Sequence, residues 1–102
     1  GFGSIGTEVA KALIIGVENF SLYGVVSRSK KNVERRILQL NHQIKIFELE
    51  TLIEKCDIII DCAPKEAFRE IATQCIQNNK ILILEIGYSE INENKIFLEG
   101  NI

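Results

Sequence analysis

Three glycines spaced as Gly1-x-Gly3-x-x-Gly6, with Ser4 and Ile5 between the last two, run directly into Thr7-Glu8-Val9-Ala10-Lys11-Ala12-Leu13-Ile14. At this spacing the first glycine permits a tight strand-to-helix turn and the second lets backbone approach a ligand. The third lets the helix pack closely against its strand. A helix that starts at such a turn presents free N–H groups and the positive end of its dipole, which suits an anion such as a pyrophosphate. The pattern alone has low specificity and is informative only between a strand and a helix. The helix is legible here, and the strand is expected to be missing from this sequence.

A second reactive stretch is Ser27-Arg28-Ser29-Lys30, about 20 residues beyond the glycines, where a dinucleotide site meets the adenosine ribose. A carboxylate at that place favours the 2′-hydroxyl of NAD, whereas a guanidinium accommodates the 2′-phosphate of NADP. No acidic residue lies between Glu18 and Glu34. The chemistry therefore leans to NADP, with NAD as the alternative or as a second cofactor. Lys31, Arg35 and Arg36 continue the cationic run, and the last two are read as a solvated helix face.

A third stretch is Cys62-Ala63-Pro64, small residues at the end of an apolar run, with room for a ribose or nicotinamide ring beside Ala63 and Pro64. Gly87, followed by Tyr88 and Ser89, closes the next apolar run in a similar way. His42 is the only histidine and lies in a polar connection. Cys62 has no histidine to activate it and is read as a packed thiol. Asp57 is read as a cap or turn residue and Asp61 as an ordinary hydrogen-bonding group. No catalytic acid–base constellation and no metal-ligand spacing is present.

The elements that must carry these stretches alternate. Ile5, Val9, Ala12 and Leu13 predict a helix from Ser4 to Ile15 that stops at Gly16. Leu22 to Ser27 reads as a buried strand, Lys30 to Leu40 as a helix, and Ile44 to Phe47 as a weaker strand near an edge. A short helix over Glu50–Lys55 precedes Asp57–Cys62, a nearly continuous apolar run of the kind that a strand covered on both faces requires. Pro64 is expected at the first position of a helix carrying Ala67, Ile71 and Cys75, which ends at Asn78-Asn79. Ile81–Ile86 is a further buried strand, and Lys95–Leu98 a last candidate. Such alternation predicts an α/β fold, a doubly wound parallel sheet with helices on both faces and ligands at the carboxyl ends of the strands. If the missing first strand is central, its neighbours are the Leu22 and Asp57 strands, and the 102-residue peptide alone is expected to fold poorly.

Length and composition bound the function. The 102 residues allow one domain, too short for a cofactor domain plus a substrate domain. A net charge of −2 argues against nucleic acid or an anionic membrane as partner. No apolar run reaches the roughly 18 residues of a membrane span. Cys56, Cys62 and Cys75, odd in number and without CxxC spacing, suggest reduced thiols and a cytoplasmic setting.

Together, GFGSIGTEVAKAL, LYGVVSRS, CDIIIDCAPKEAFREIA and KILILEIG resemble the N-terminal nucleotide-binding domain of the L-aspartate dehydrogenase family, related to the homoserine dehydrogenase NAD-binding domain. The resemblance covers nearly the whole chain, and Ala63–Glu70 is its most distinctive piece. It implies a Rossmann-like domain over residues 1–102, without its first strand and without a C-terminal catalytic domain. It also implies oxidative deamination of L-aspartate to iminoaspartate with NAD(P), feeding NAD biosynthesis, in an enzyme expected to be a homo-oligomer. Gly1, Gly3, Ser4, Ile5 and Gly6 would hold the pyrophosphate. Ser27, Arg28, Ser29 and Lys30 would meet the adenosine ribose, and Ala63 and Pro64 the nicotinamide side. The catalytic histidine and the aspartate-binding groups would lie in the C-terminal domain, so no catalytic residue is assigned within this chain. Tyr88 departs from the small residues that the family tends to place after the glycine. A homoserine dehydrogenase-like NADP domain and a non-catalytic NAD(P)-sensing module are the alternatives.

Overall fold

A computed structural model describes residues 3–84. Within them, helix α1 (Ser4–Ile15), α2 (Lys30–Gln39), α3 (Leu49–Lys55) and α4 (Phe68–Gln77) accompany strands β1 (Ile58–Asp61) and β2 (Ile81–Leu84). The two strands are parallel, with Ile58 opposite Ile81 and Asp61 opposite Leu84. This α/β order agrees with the alternation expected from the sequence. The candidates at Gly87–Ser89 and Lys95–Leu98 lie outside the described residues. No described helix is long and apolar enough to cross a membrane.

Local chemistry sets the helix ends. Helix α1 stops where Gly16 takes φ 131°, a region open to glycine, while its N–H donates to the Ala12 carbonyl. Asn79, at φ 55°, makes the turn from α4 into β2, a conformation that asparagine tolerates better than most residues. Pro64 departs from expectation. It caps a short 3₁₀ turn over Lys65–Ala67, and α4 begins only at Phe68. Its ψ of 152° is extended, so the chain turns before it can wind into the helix.

The other departures concern strands. Leu22–Ser27 and Ile44–Phe47 run alongside each other in parallel but form a single bridge, Val25 with Ile46. The Val25 N–H donates to the Lys45 carbonyl at 2.9 Å and the Phe47 N–H to the Val25 carbonyl at 2.8 Å. Gly24 explains part of this brevity, since it adds no side chain to the pairing and the Phe47 ring fills its place, stacked on Tyr23 at 5.3 Å between centroids. A Cβ on Gly24 would collide with that ring and lie 2.9 Å from the Lys45 carbonyl oxygen. Among the described residues, β1 and β2 are covered on one face by α4 and less well on the other. Ile59 and Asp61 point inward, while Ile60 is 36% exposed and Ile81 60%.

The core is accordingly divided. Leu52 and Ile53 of α3, Ile59 of β1 and Ala67, Ile71 and Cys75 around α4 form one cluster. Ala10 of α1 and Val33 of α2 form a second, with Leu22, Val25, Ile44 and Ile46 packed on it. Val26 and Phe47 lean on the first cluster from the segments that serve the second. Between the two lies an open cleft.

Candidate functional site

The cleft has a volume of about 1460 Å³ and is bounded by the start of α1, the Leu22–Ser29 segment, β1 and the Cys62–Pro64 turn. Because β1 is hydrogen-bonded to β2 along one edge only among the described residues, its other edge is left without a ladder.

At one end of the cleft the glycine turn is held by its own helix. The Thr7 N–H donates to the Gly3 carbonyl at 2.9 Å, and the Thr7 hydroxyl donates to the same oxygen at 2.7 Å. Helix α1 has no side-chain cap and no acid in its first turn, so its leading N–H groups and dipole are uncompensated. A Cβ built on Gly3 would meet nothing within 4 Å. The space beside that backbone is free for a ligand, and this fits a dinucleotide's phosphates. Ile5 is exposed beside the turn and Gly6 is buried beneath it. Ser4 opens the helix, and Gly1 lies outside the described residues.

Along the wall, Ser27 is half-buried while Arg28 and Ser29 are exposed, and all three face the cleft. The Ser29 N–H donates to the Ser27 hydroxyl at 3.4 Å, which bends the chain into α2 at Lys30. Helix α2, like α1, has no acid in its first turn, although Glu34 reaches the cleft further on. At the far end, Ala63 is half-buried and Pro64 exposed. The structure thus gathers Gly3, Ile5, Gly6, Ser27, Arg28, Ser29, Ala63 and Pro64 around one opening.

Asp61 supports the Ala63–Pro64 turn from below. It is 6% exposed, and its Oδ1 accepts the Ala63 N–H at 2.9 Å. Burial raises its carboxyl above the ordinary value of 3.8, and the Ala63 hydrogen bond only partly opposes this. The folded state therefore holds this proton more tightly than the unfolded chain does. Its contribution to stability is complete below about pH 3.8 and is lost as pH rises through the raised value. Asp61→Asn keeps an acceptor for Ala63 and does not ionise. In urea melts of the natural full-length protein, the stability difference between variant and wild type is expected to be flat below about pH 4. It then opens in the variant's favour toward pH 7, by about 1.4 kcal/mol for every tenfold by which folding tightens the hold on the proton. A difference that is constant over this range would remove the burial cost.

The remaining sequence candidates divide. Cys75 is buried and Cys56 half-buried, burial raises both thiols, and none of the three cysteines forms a disulfide. Cys62 is half-buried at the cleft. His42 is exposed on a separate surface beside Ile37 and Gln43. Arg35 is exposed as expected, but Arg36 is not a solvated side chain. It is half-buried, lines the cleft and donates from Nη1 to the Thr7 hydroxyl at 3.3 Å. The sequence signal for this is its position three residues after the buried Val33, which carries it to the rim of the packed face of α2.

Comparison with known proteins supplies a frame for this cleft. Residues 1–85 match the family described as homoserine dehydrogenase, NAD binding domain. An L-aspartate dehydrogenase of Nitrosopumilus maritimus is 33% identical over 92 residues, covering 85% of this chain and 33% of that protein. One of Bradyrhizobium diazoefficiens is 30% identical over 84 residues, covering 82% of this chain and 30% of the relative. One of Methanococcoides burtonii is 26% identical over 89 residues, again 85% of this chain and 33% of the relative. The chain thus spans about a third of the length of the curated relatives it matches. No solved structure matches it significantly.

Proposed function

The chain belongs to the homoserine dehydrogenase NAD-binding domain family, and from that premise we propose that it is the cofactor-binding part of an NAD(P)-dependent L-aspartate dehydrogenase. The observation that carries this reading is the single cleft on which the glycine turn, the Ser27–Ser29 bend and the Ala63–Pro64 turn converge. Gly1, Gly3, Ser4, Ile5 and Gly6 hold the pyrophosphate on the uncapped start of α1. Ser27, Arg28, Ser29 and Lys30 hold the adenosine ribose, and the cations favour a 2′-phosphate, hence NADP over NAD. Ala63 and Pro64 line the nicotinamide side, kept in place by the Asp61 hydrogen bond beneath them. The dinucleotide, when bound, supplies the hydride acceptor.

In this proposal residues 1–102 form one Rossmann-like nucleotide-binding domain, doubly wound about a central strand that lies in the cleft between Val25 and β1. The groups that bind the amino acid and move its proton come from the rest of a homo-oligomeric cytoplasmic enzyme. L-Aspartate is favoured as substrate because each of the relatives compared is named for that activity. The test is reduction of NADP and NAD by the natural full-length protein in the presence of L-aspartate or L-homoserine. Reduction with L-aspartate is expected; activity on L-homoserine alone, or on neither, overturns the proposal.

A further inference from the structure

We infer that Arg36 is a positioning residue for the dinucleotide, acting through Thr7 on the shape of the glycine turn; the inference rests on the cofactor-binding reading above. Arg36 Nη1 donates to the Thr7 hydroxyl at 3.3 Å, and that hydroxyl donates to the Gly3 carbonyl at 2.7 Å. The two bonds form one relay from the middle of α2 to the glycine whose backbone borders the free space in the cleft. Its span of 29 residues in sequence makes it a tertiary tie. The Cβ side of Gly3 is open, with nothing beyond its chain neighbours within 4 Å of where a Cβ would be. The carbonyl of Gly3 is therefore oriented by Thr7 alone among the described contacts, through its N–H and its hydroxyl.

A hydroxyl free to rotate is a poor orienting group, since it can donate to solvent as readily as to the carbonyl. The Arg36 donor takes up one of that hydroxyl's two lone pairs and favours the orientation in which its proton is directed at Gly3. Among the described residues no carboxylate forms a salt bridge with Arg36, and its Nη1 donates to Thr7. Its function through the turn also differs from that expected of Arg28. The glycine turn meets the pyrophosphate, which NAD and NADP share, so loss of Arg36 weakens both alike.

Dissociation constants for NADP and NAD, measured on the natural full-length protein and its Arg36→Met, Thr7→Val, Thr7→Ser and doubly substituted Arg36→Met/Thr7→Val variants, test the relay. Arg36→Met and Thr7→Val are each expected to weaken both dinucleotides about threefold to tenfold. Thr7→Ser, which keeps the hydroxyl, stays close to wild type. The double variant binds no more weakly than Thr7→Val, because Arg36 has nothing left to act through. The melting temperature without cofactor, measured on the same variants, does not follow this pattern. Losses that multiply in the double variant, loss of NADP binding alone, or unchanged binding in Arg36→Met each overturn the relay while the cofactor site stands. A wild-type protein that binds neither dinucleotide overturns the cofactor reading and the relay together.

Discussion

Replacing Arg28 with alanine is expected to weaken NADP binding about tenfold to a hundredfold and to leave NAD within about twofold. The two cofactors differ only in the 2′-phosphate, so the comparison isolates whatever meets that group. Arg28 stands on the cleft wall between two hydroxyl-bearing residues, is exposed, and forms no ion pair with a carboxylate among the described residues. A phosphate reaching it gains a charge-assisted, planar pair of donors without first breaking an internal salt bridge. Exposure keeps the effect below that of a buried pair, because solvent and salt screen the charge. Arg28→Lys, with the charge but not the fork of donors, is expected to fall between alanine and wild type. Titration of both cofactors against each variant decides the matter. Equal losses for NADP and NAD would reject a phosphate contact, and the same equality is the signature assigned to Arg36.

The helices are legible in the sequence because their signals are local. Gly16 ends α1, Val33 recurs with Ile37 on one face of α2, and Ala67, Ile71 and Cys75 share one face of the α4 region, all three buried. The site is legible as separate stretches for a related reason, since glycine spacing, absence of acid and a small-residue turn are all properties of short segments. What the sequence does not reveal is whatever depends on a distant partner. Leu22–Ser27 is rich in strand formers, yet among the described residues its strand pairing is the one bridge at Val25, because a ladder needs a second chain at the right distance along its whole length. The apolar run through Ile58–Ile60 reads as covered on both faces, but among the described residues its cover is α4 and the cluster around it, and Ile60 is 36% exposed. Arg36 belongs with solvent by its neighbours in sequence and is taken out of it by Thr7, a contact that sequence proximity does not show.

Supplying a strand to the cleft between Val25 and β1 is expected to convert a chain without a cooperative unfolding transition into one that has it. Among the described residues most of the buried apolar side chains fall into two clusters, and the smaller has Ala10 and Val33 as its buried members. A domain of this size normally holds a margin of about 5–15 kcal/mol, which requires one continuous core. Here each cluster is packed on one side of a cleft of about 1460 Å³, and Ile60 of β1, 36% exposed, lines that cleft. A parallel strand in the cleft would pair with the open edge of β1 and with the Val25 segment. Its side chains would join the two clusters, each buried Val or Ile contributing about 1.5–3 kcal/mol. Residues 1–102 alone and the same chain with an apolar strand-forming segment placed directly ahead of Gly1 can be compared by urea and thermal melts. The first is expected to give a broad, gradual change and the second a sigmoidal transition with a larger denaturant slope, since more surface is exposed when it unfolds. A sharp transition from the 102 residues alone would mean that the two clusters cooperate across the cleft without a strand between them. The cleft would then be a feature of the stable fold rather than a gap in its sheet.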